Sequence, residues 1–238
     1  MHRVAFSAPI ALITLTASVP SAVARALTTG TIEGRITFEG PPPAPTIVIQ
    51  DGGSQQVLYV DRSGGLRYAV VFLADAPSAG EPPVESAVMN QRNFIFEPQV
   101  LAVRAGQTVR FTSDDSANHN VRARDSNPAN TFSITTGSGS VGPNFHRFAA
   151  TQDRPLQLSC DIHPWMAAWL YVFDHPYFAV TTPDGSFRIE RVPAGTYRLA
   201  VRQPAAQLTR TLRVNVGAGR TARVDARFVP AEVTVLPR

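Results

Sequence analysis

The side chains best suited to chemistry in this sequence lie in one short segment, CDIHPWM. Cys160, the only cysteine, is followed three positions later by His163 and three positions after that by Met166. A thiolate, an imidazole and a thioether are all metal ligands, and this spacing lets one loop supply all three. A second imidazole, that of His119, follows the strand pattern QTVRF in a polar loop. These four side chains are the candidate metal ligands.

The chemistry of this donor set indicates which metal it suits. Two histidines and one cysteine in a plane, with a weak axial methionine, form the ligand set of electron-transfer copper. Zinc prefers a tetrahedral set without a thioether. Because His119 comes from a separate loop, the fold would set the geometry before the metal arrives. Preset geometry keeps the reorganisation small when copper changes oxidation state, so the set predicts one ion that alternates between Cu(I) and Cu(II).

Each of these side chains also has an ordinary structural interpretation. A lone cysteine is more often a small buried apolar residue than a ligand, and a lone methionine is more often part of a core. The joint spacing of the four side chains favours the metal interpretation. Two further histidines, His146 and His175, lie outside the pattern and are interpreted as strand or turn residues.

The elements that must position these side chains are predicted to be β-strands. Short alternating runs of apolar and polar residues, separated by Pro, Gly, Asp and Asn clusters, dominate the sequence, and helical periodicity is nearly absent. The pattern predicts an all-β protein built from sandwiches. The predicted strands include QTVRF (107–111), RPLQLS (154–159), SFRIERV (186–192), TYRLAV (196–201), TLRVNV (211–216) and ARVDARF (222–228).

The segment 86–174 resembles the cupredoxin family, which includes plastocyanins, pseudoazurins and amicyanin. The resemblance rests on an F-x-P motif, the GQTVRF strand, a D-x-x-x-H-N-V motif and the CDIHPWM loop. A Gly/Ser-rich insert at 135–144 departs from the family pattern.

This resemblance implies a Greek-key β-sandwich that holds one copper ion. It implies three equatorial ligands and, as the axial ligand, the methionine: His119, Cys160, His163 and Met166. It also implies that Asn120 hydrogen-bonds the cysteine loop and steadies it.

The two ends of the chain resemble parts of one carboxypeptidase-regulatory-like (transthyretin-like, or prealbumin-like) sandwich. The tail carries a D-G turn, an aromatic residue two positions on, and a PAGTYRL corner. The start of that pattern lies far upstream, in GTIEGRITFEG and YAVVFLADAP. The resemblance predicts that 28–82 and 176–230 form one sandwich, into which the cupredoxin-like domain is inserted. In the simpler alternative, an N-terminal arm adds strands to the central domain, which the second sandwich then follows.

Residues 1–24 have the pattern of a cleavable signal peptide. A short positive start precedes an apolar stretch, and SAVARA (21–26) offers small-residue cleavage sites. No later stretch is long and apolar enough to cross a bilayer, so we expect a periplasmic or secreted chain without a membrane span once mature. A single thiol in an oxidising compartment must be buried or ligated, because it has no internal partner for a disulfide.

The charge pattern and the catalytic motifs exclude several function classes. All 22 basic residues are arginine, the formal net charge is +4, and the arginines are scattered without interleaved aromatic residues, so we expect no nucleic-acid binding. No nucleophile, base and orienting group recur at useful spacing, so we expect no hydrolase chemistry and no enzyme activity.

These features together predict an exported protein that carries single electrons through one copper ion. The expected partner is a redox protein, either a cytochrome or a periplasmic dehydrogenase, which would dock on an apolar rim of Pro164, Trp165 and Ala167 around His163. The sequence predicts no particular oligomeric state.

Three alternatives stay open at this point. A copper storage or delivery protein would use the same ligands without redox turnover. A metal-free binding module would rest on the regulatory-like sandwich alone. A copper oxidase or nitrite reductase would need a second copper site, for which only His146 and His175 remain.

Overall fold

The computed structural model describes residues 28–47, 54–137, 144–151 and 154–234, and this part of the chain is all-β, as predicted. The strands before the central segment are β1 (Thr29–Phe38), β2 (Thr46–Ile47), β3 (Ser54–Gln55), β4 (Tyr59–Val60), β5 (Leu66–Arg67) and β6 (Val70–Leu73). The central strands are β7 (Ala87–Arg92), β8 (Ile95–Glu97), β9 (Val100–Arg104), β10 (Thr108–Ser113), β11 (His119–Ala123), β12 (Phe132–Thr136), β13 (Phe145–Arg147), β14 (Leu156–Ser159) and β15 (Ala167–Phe173). The last strands are β16 (Phe178–Val180), β17 (Ser186–Pro193), β18 (Gly195–Gln203), β19 (Leu208–Val216), β20 (Thr221–Arg223) and β21 (Ala226–Phe228). Three 3₁₀ turns complete the described structure: Pro128–Asn130, Pro204–Ala206 and Pro230–Glu232.

The strands pair in two separate groups. The central strands form one sheet in the order β13-β10-β7-β8 and a second in the order β12-β11-β14-β15-β9. The remaining strands form a sheet β16-β6-β18-β19 and a sheet β17-β1-β20, in which β21 also pairs with β1, and two short ribbons, β2-β3 and β4-β5. Within the described ranges, strands from the two ends of the chain therefore pair with each other and not with the central strands.

The four large sheets stack as layers, held by three apolar clusters. An outer cluster lies between the β1 and β6 sheets, and a central cluster lies between the two central sheets. A third cluster, the junction cluster, joins the β6 sheet to the β15 sheet and contains Tyr68, Val70, Phe72, Val100, Tyr171, Phe173 and Ala200. Since successive side chains of a strand point to opposite faces, β6 and β15 are each buried on both faces.

One predicted strand is interrupted. ARVDARF (222–228) forms β20 and β21, which both pair with β1 in the same register on either side of a break. At the break, the backbone N–H of Arg35 donates to the side chain of Asp225 at 2.8 Å instead of to a strand carbonyl. A Cβ at Gly34 would lie 1.8 Å from the carbonyl oxygen of Val224, so this close approach requires glycine.

Two sequence features fall wholly or partly outside the described residues. The predicted signal peptide, 1–24, is wholly outside. The Gly/Ser-rich insert, 135–144, is described only up to Gly137 and again at Asn144. It connects β12 to β13, which are edge strands of the two central sheets. No helix among the described residues is long and apolar enough to cross a membrane.

Candidate metal centre

The candidate site forms where β11 begins and β14 ends. The two strands are antiparallel, with Arg122 opposite Ser159 and Ala123 opposite Leu158. This register places the start of β11, and so His119, beside the loop that follows β14. The same loop returns the chain into β15, which pairs with β14. The segment 160–166 is thus a tight connection between two paired strands, and its side chains have little freedom to move apart.

The structure brings three of the four predicted ligands together in the core. His119, Cys160 and His163 are all buried, and one potential ligand atom from each lies within 4.8 Å of the others. The two histidine Nδ1 atoms are 2.9 Å apart, and the sulfur of Cys160 is 3.7 Å from Nδ1 of His163. Buried imidazole and thiol groups facing one another at such distances are a donor set that can enclose a single ion.

The surroundings of the Cys160 sulfur favour its ionised form. Burial by itself raises the pKa of this thiol. The protonated imidazole of His119 and the backbone N–H groups of Asn120, His163 and Ile162 stabilise the thiolate by hydrogen bonding and have the larger combined effect, so the pKa lies below its usual value. Since the thiolate is the form that binds metals, the fold prepares this sulfur for ligation.

The two histidines experience opposite shifts. Burial lowers the pKa of His119, but the hydrogen bonds that its doubly protonated ring makes to the Cys160 sulfur and the Asp115 carboxylate more than compensate, so its pKa is raised. Burial and the nearby His119 together lower the pKa of His163. A lowered pKa keeps the imidazole of His163 neutral near neutral pH, which is the form that ligates.

Asn120 holds the cysteine loop against β11. Its Nδ2 donates to Oδ2 of Asp161 at 2.8 Å, and its Oδ1 accepts from the backbone N–H of Asp161 at 2.7 Å. Arg122 adds an ion pair to the other carboxylate oxygen of Asp161 at 2.7 Å. Three contacts therefore fix the residue after Cys160.

The Asn120→Ala variant should hold the cysteine loop less firmly against β11. Both hydrogen bonds to Asp161 disappear, and we expect the free energy of unfolding of the metal-free protein to fall by about 1–3 kcal/mol. Urea unfolding monitored by tryptophan fluorescence measures this change. Asn118→Ala is the matched control, because Asn118 is exposed two residues earlier, and it should change stability by less than about 0.5 kcal/mol. Equal effects from the two variants would contradict the role of Asn120.

Met166 lies in the central cluster together with Cys160 and is fully buried. Its backbone closes the loop: its N–H donates to the carbonyl of His163 at 2.9 Å, and its carbonyl accepts from the N–H of Cys160 at 3.4 Å. The next residue, Ala167, accepts a hydrogen bond at 2.9 Å from Nε2 of Gln55, which belongs to the N-terminal segment. The loop is thus held from both strand groups.

Aromatic side chains cover the two histidines. The ring of Phe94 contacts His119 edge-on at 5.6 Å and His163 edge-on at 5.1 Å between centroids. Trp165 lies 5.4 Å from His163 and donates from its indole N–H to the carbonyl of Phe94 at 3.0 Å. These contacts exclude water from the site and restrict rotation of both imidazoles. The sequence offered no signal that singled out Phe94.

The rim around His163 differs from the predicted one. Pro164 is exposed and Trp165 is partly exposed, as a rim requires, but Ala167 is buried inside β15. Ile162 takes its place, with 52% of its surface exposed. His163 itself is 5% exposed, so the apolar residues Ile162 and Pro164 flank the least buried of the three donors.

The two remaining histidines of the described chain have structural contacts. The His146 ring stacks on Phe132 with centroids 4.7 Å apart, and its Nε2 contacts the carbonyl of Ala129 at 2.8 Å. His175 is buried and accepts a hydrogen bond from the N–H of Tyr177, and burial lowers its pKa. Neither joins the metal group found among the described residues.

Comparisons with known proteins give partial similarities to solved structures. A copper-containing nitrite reductase from Thermus scotoductus SA-01 is 22% identical over 41% of this chain and 24% of its own, with a TM-score of 0.32. A purple cupredoxin from Nitrosopumilus maritimus is 23% identical over 37% of this chain and 99% of its own, with a TM-score of 0.29. Amicyanin from Paracoccus versutus is 15% identical over 43% of this chain and 97% of its own, with a TM-score of 0.30.

The chain thus spans only 24% of the reductase's length. Similarities at these scores do not establish a shared fold by themselves. No protein-family model and no curated protein sequence matches the chain. What the site can do must therefore be judged from its own atoms.

Proposed function

We propose that this chain is an exported, cupredoxin-like copper protein that carries single electrons through one type 1 copper ion. The observation that supports it is the buried group of one thiol and two imidazoles, gathered from two separate segments of the chain. The same donors could bind other soft or borderline ions. A lone sulfur with two imidazole nitrogens, beside a buried methionine in the same loop, suits copper best.

The residues fit a copper ion on chemical grounds. The sulfur of Cys160 is surrounded by hydrogen-bond donors that stabilise a thiolate. The Nδ1 atoms of His119 and His163 face each other, and two N–H donors cannot share that space, so at least one ring presents a lone pair. Copper, when bound, would supply the change between Cu(I) and Cu(II).

Each of the predicted ligands has its own part in the proposal. His119 and Cys160 would hold the ion in place. His119 is fixed by β11, and Cys160 is fixed by the hydrogen bonds between Asn120 and Asp161. His163 would connect it to the surface, because it is the donor nearest to solvent. Met166 would be a weak fourth ligand that tunes the potential, as its position in the loop and its burial beside Cys160 allow.

Electron transfer requires a partner, and the surface around His163 suits one. The exposed apolar pair Ile162 and Pro164 lies beside the buried imidazole. We propose that a cytochrome or a periplasmic dehydrogenase docks there. An apolar contact of this kind permits brief encounters, which suit a protein that receives an electron from one protein and passes it to another.

The proposal also covers the arrangement of the chain. Residues 86–174 would be the cupredoxin-like domain, and residues 28–82 with 176–230 would form a carboxypeptidase-regulatory-like sandwich around it. Residues 1–24 would direct the chain to the periplasm and be removed. Among the described residues, the central strands pair only with one another, and strands from the two ends of the chain pair with each other. This pairing supports the proposed division into two domains.

The deciding experiment is the absorption and EPR spectrum of the purified, Cu(II)-loaded protein, followed by a redox titration. We expect an intense visible sulfur-to-copper charge-transfer band that bleaches on reduction and returns on oxidation. A copper-replete protein without this band would overturn the proposal. Tight Cu(I) binding without reversible oxidation would instead indicate a storage or delivery protein. Absence of any metal binding would indicate a metal-free module.

A further inference from the structure

A buried carboxylate contacts the face of His119 that points away from the metal group. Nδ1 of His119 faces His163, while Nε2 lies 2.9 Å from Oδ2 of Asp115. An imidazole that ligates through Nδ1 keeps its proton on Nε2, and that proton needs an acceptor when it is buried. Asp115 is that acceptor.

The position of Asp115 is set by the backbone around it. The side chain is 8% exposed. Its Oδ1 accepts from the backbone N–H of Asn93 at 2.7 Å, and its Oδ2 accepts from that of Phe94 at 3.0 Å. The neighbouring carboxylate, Asp114, takes the close ion pair with Arg92 and a hydrogen bond from Asn90. The carboxylate of Asp115 therefore contacts the His119 ring and the backbone N–H groups of Asn93 and Phe94.

We propose that Asp115 is a positioning residue for the metal centre, acting through His119. Its carboxylate holds His119 in the Nε2-protonated form with Nδ1 turned to the site, and makes Nδ1 a stronger donor. A stronger imidazole donor stabilises Cu(II) more than Cu(I), so Asp115 lowers the reduction potential. This inference rests on the proposed copper function.

A purely structural role is the competing explanation, since Asp115 also orders the turn that carries Phe94. The Asp115→Asn variant separates the two. An amide has nearly the same shape and keeps one oxygen, which can accept from both Phe94 and His119, but it loses the hydrogen bond from the Asn93 N–H. The variant thus removes the negative charge and one backbone hydrogen bond, but it keeps an acceptor for His119. A merely structural residue should tolerate that loss without a change in potential.

The test compares the copper-loaded Asp115→Asn and Asp114→Asn variants with the parent protein. Each variant loses one negative charge at adjacent positions, but only the first contacts His119. For Asp115→Asn we expect Cu(II) affinity to fall by about 10–100-fold, with a smaller loss for Cu(I). The potential should then rise by about 59 mV for each tenfold difference between the two losses. Equal potentials in the two variants, with the visible band intact, would overturn the inference.

A second measurement uses the metal-free parent protein, so it stands even if no band appears or the variant does not fold. At a pH where both rings are neutral, ¹⁵N NMR should place the His119 proton on Nε2 and the His163 proton on Nδ1, since the two Nδ1 atoms are 2.9 Å apart. The His119 Nε2 proton should resonate far downfield because its acceptor is charged. A proton on Nδ1 of His119 would overturn the inference, whereas a missing band with this tautomer present would overturn only the copper function.

Discussion

The Cys160→Ser variant is expected to lose the visible band entirely and to bind Cu(I) at least about 100-fold more weakly than the parent protein. The band requires a bond between sulfur and copper, and the variant has no other cysteine to supply one. A serine hydroxyl stays protonated near neutral pH and is a hard oxygen donor, so it does not replace a soft thiolate. Competition against a Cu(I) chelator measures the affinity, and the absorption spectrum measures the band.

The metal-free Cys160→Ser protein serves as the control for loss of folding. The backbone N–H groups that point at the sulfur can donate equally to a serine oxygen, so the variant should keep a cooperative unfolding transition. Copper at about 100 times its dissociation constant should stabilise the parent by about 2.7 kcal/mol and leave the variant almost unchanged. A Cys160→Ser protein that retained the band would show that the sulfur is not a ligand.

The second large effect is expected at the junction cluster. The Phe72→Ala variant should lower the free energy of unfolding by about 3–5 kcal/mol, because the ring is 1% exposed and its removal leaves a cavity. Phe72 packs against Phe173 with ring centroids 4.8 Å apart and against Tyr171 at 6.2 Å. Both partners lie on β15, directly after the ligand loop, so we expect the loss to weaken cooperation between the two strand groups.

Chemical unfolding followed by far-UV circular dichroism and by the copper band measures this effect. Coincident transitions in the parent should separate in the variant. Phe145→Ala is the matched control, because Phe145 is 52% exposed and its loss should change stability by no more than about 0.5 kcal/mol. If Phe72→Ala lowered the free energy of unfolding as little as Phe145→Ala does, the β6 and β15 sheets would contribute little to one another's stability.

The part of this site that depends on local spacing could be predicted from sequence. The loop donors lie within seven residues between two strands, so their proximity follows from chain length. Bringing His119 to them needs the pairing of β11 with β14, which the strand patterns suggest but do not specify.

The contacts that sequence reasoning missed depend on long-range packing. Asp115 stands in the D-x-x-x-H-N-V motif, but nothing there distinguishes a carboxylate bound to His119 from an ordinary loop aspartate. The break between β20 and β21 depends on a close approach of Val224 to Gly34, which is 190 positions away in the chain. The continuous apolar runs VVFL of β6 and AAWLYVF of β15 are typical of strands buried on both faces. They do not indicate which sheet covers the second face, because that depends on long-range packing.

The double burial of β15 limits how the metal centre can be handled on its own. Excising 86–174 would uncover Val100, Tyr171 and Phe173, which the β6 sheet now covers, and would remove the Gln55 hydrogen bond to Ala167. Such a truncated protein would expose these contiguous apolar side chains to solvent and would be prone to self-association. A minimal copper-binding version of this protein would therefore need polar replacements on that face before it could be produced in isolation.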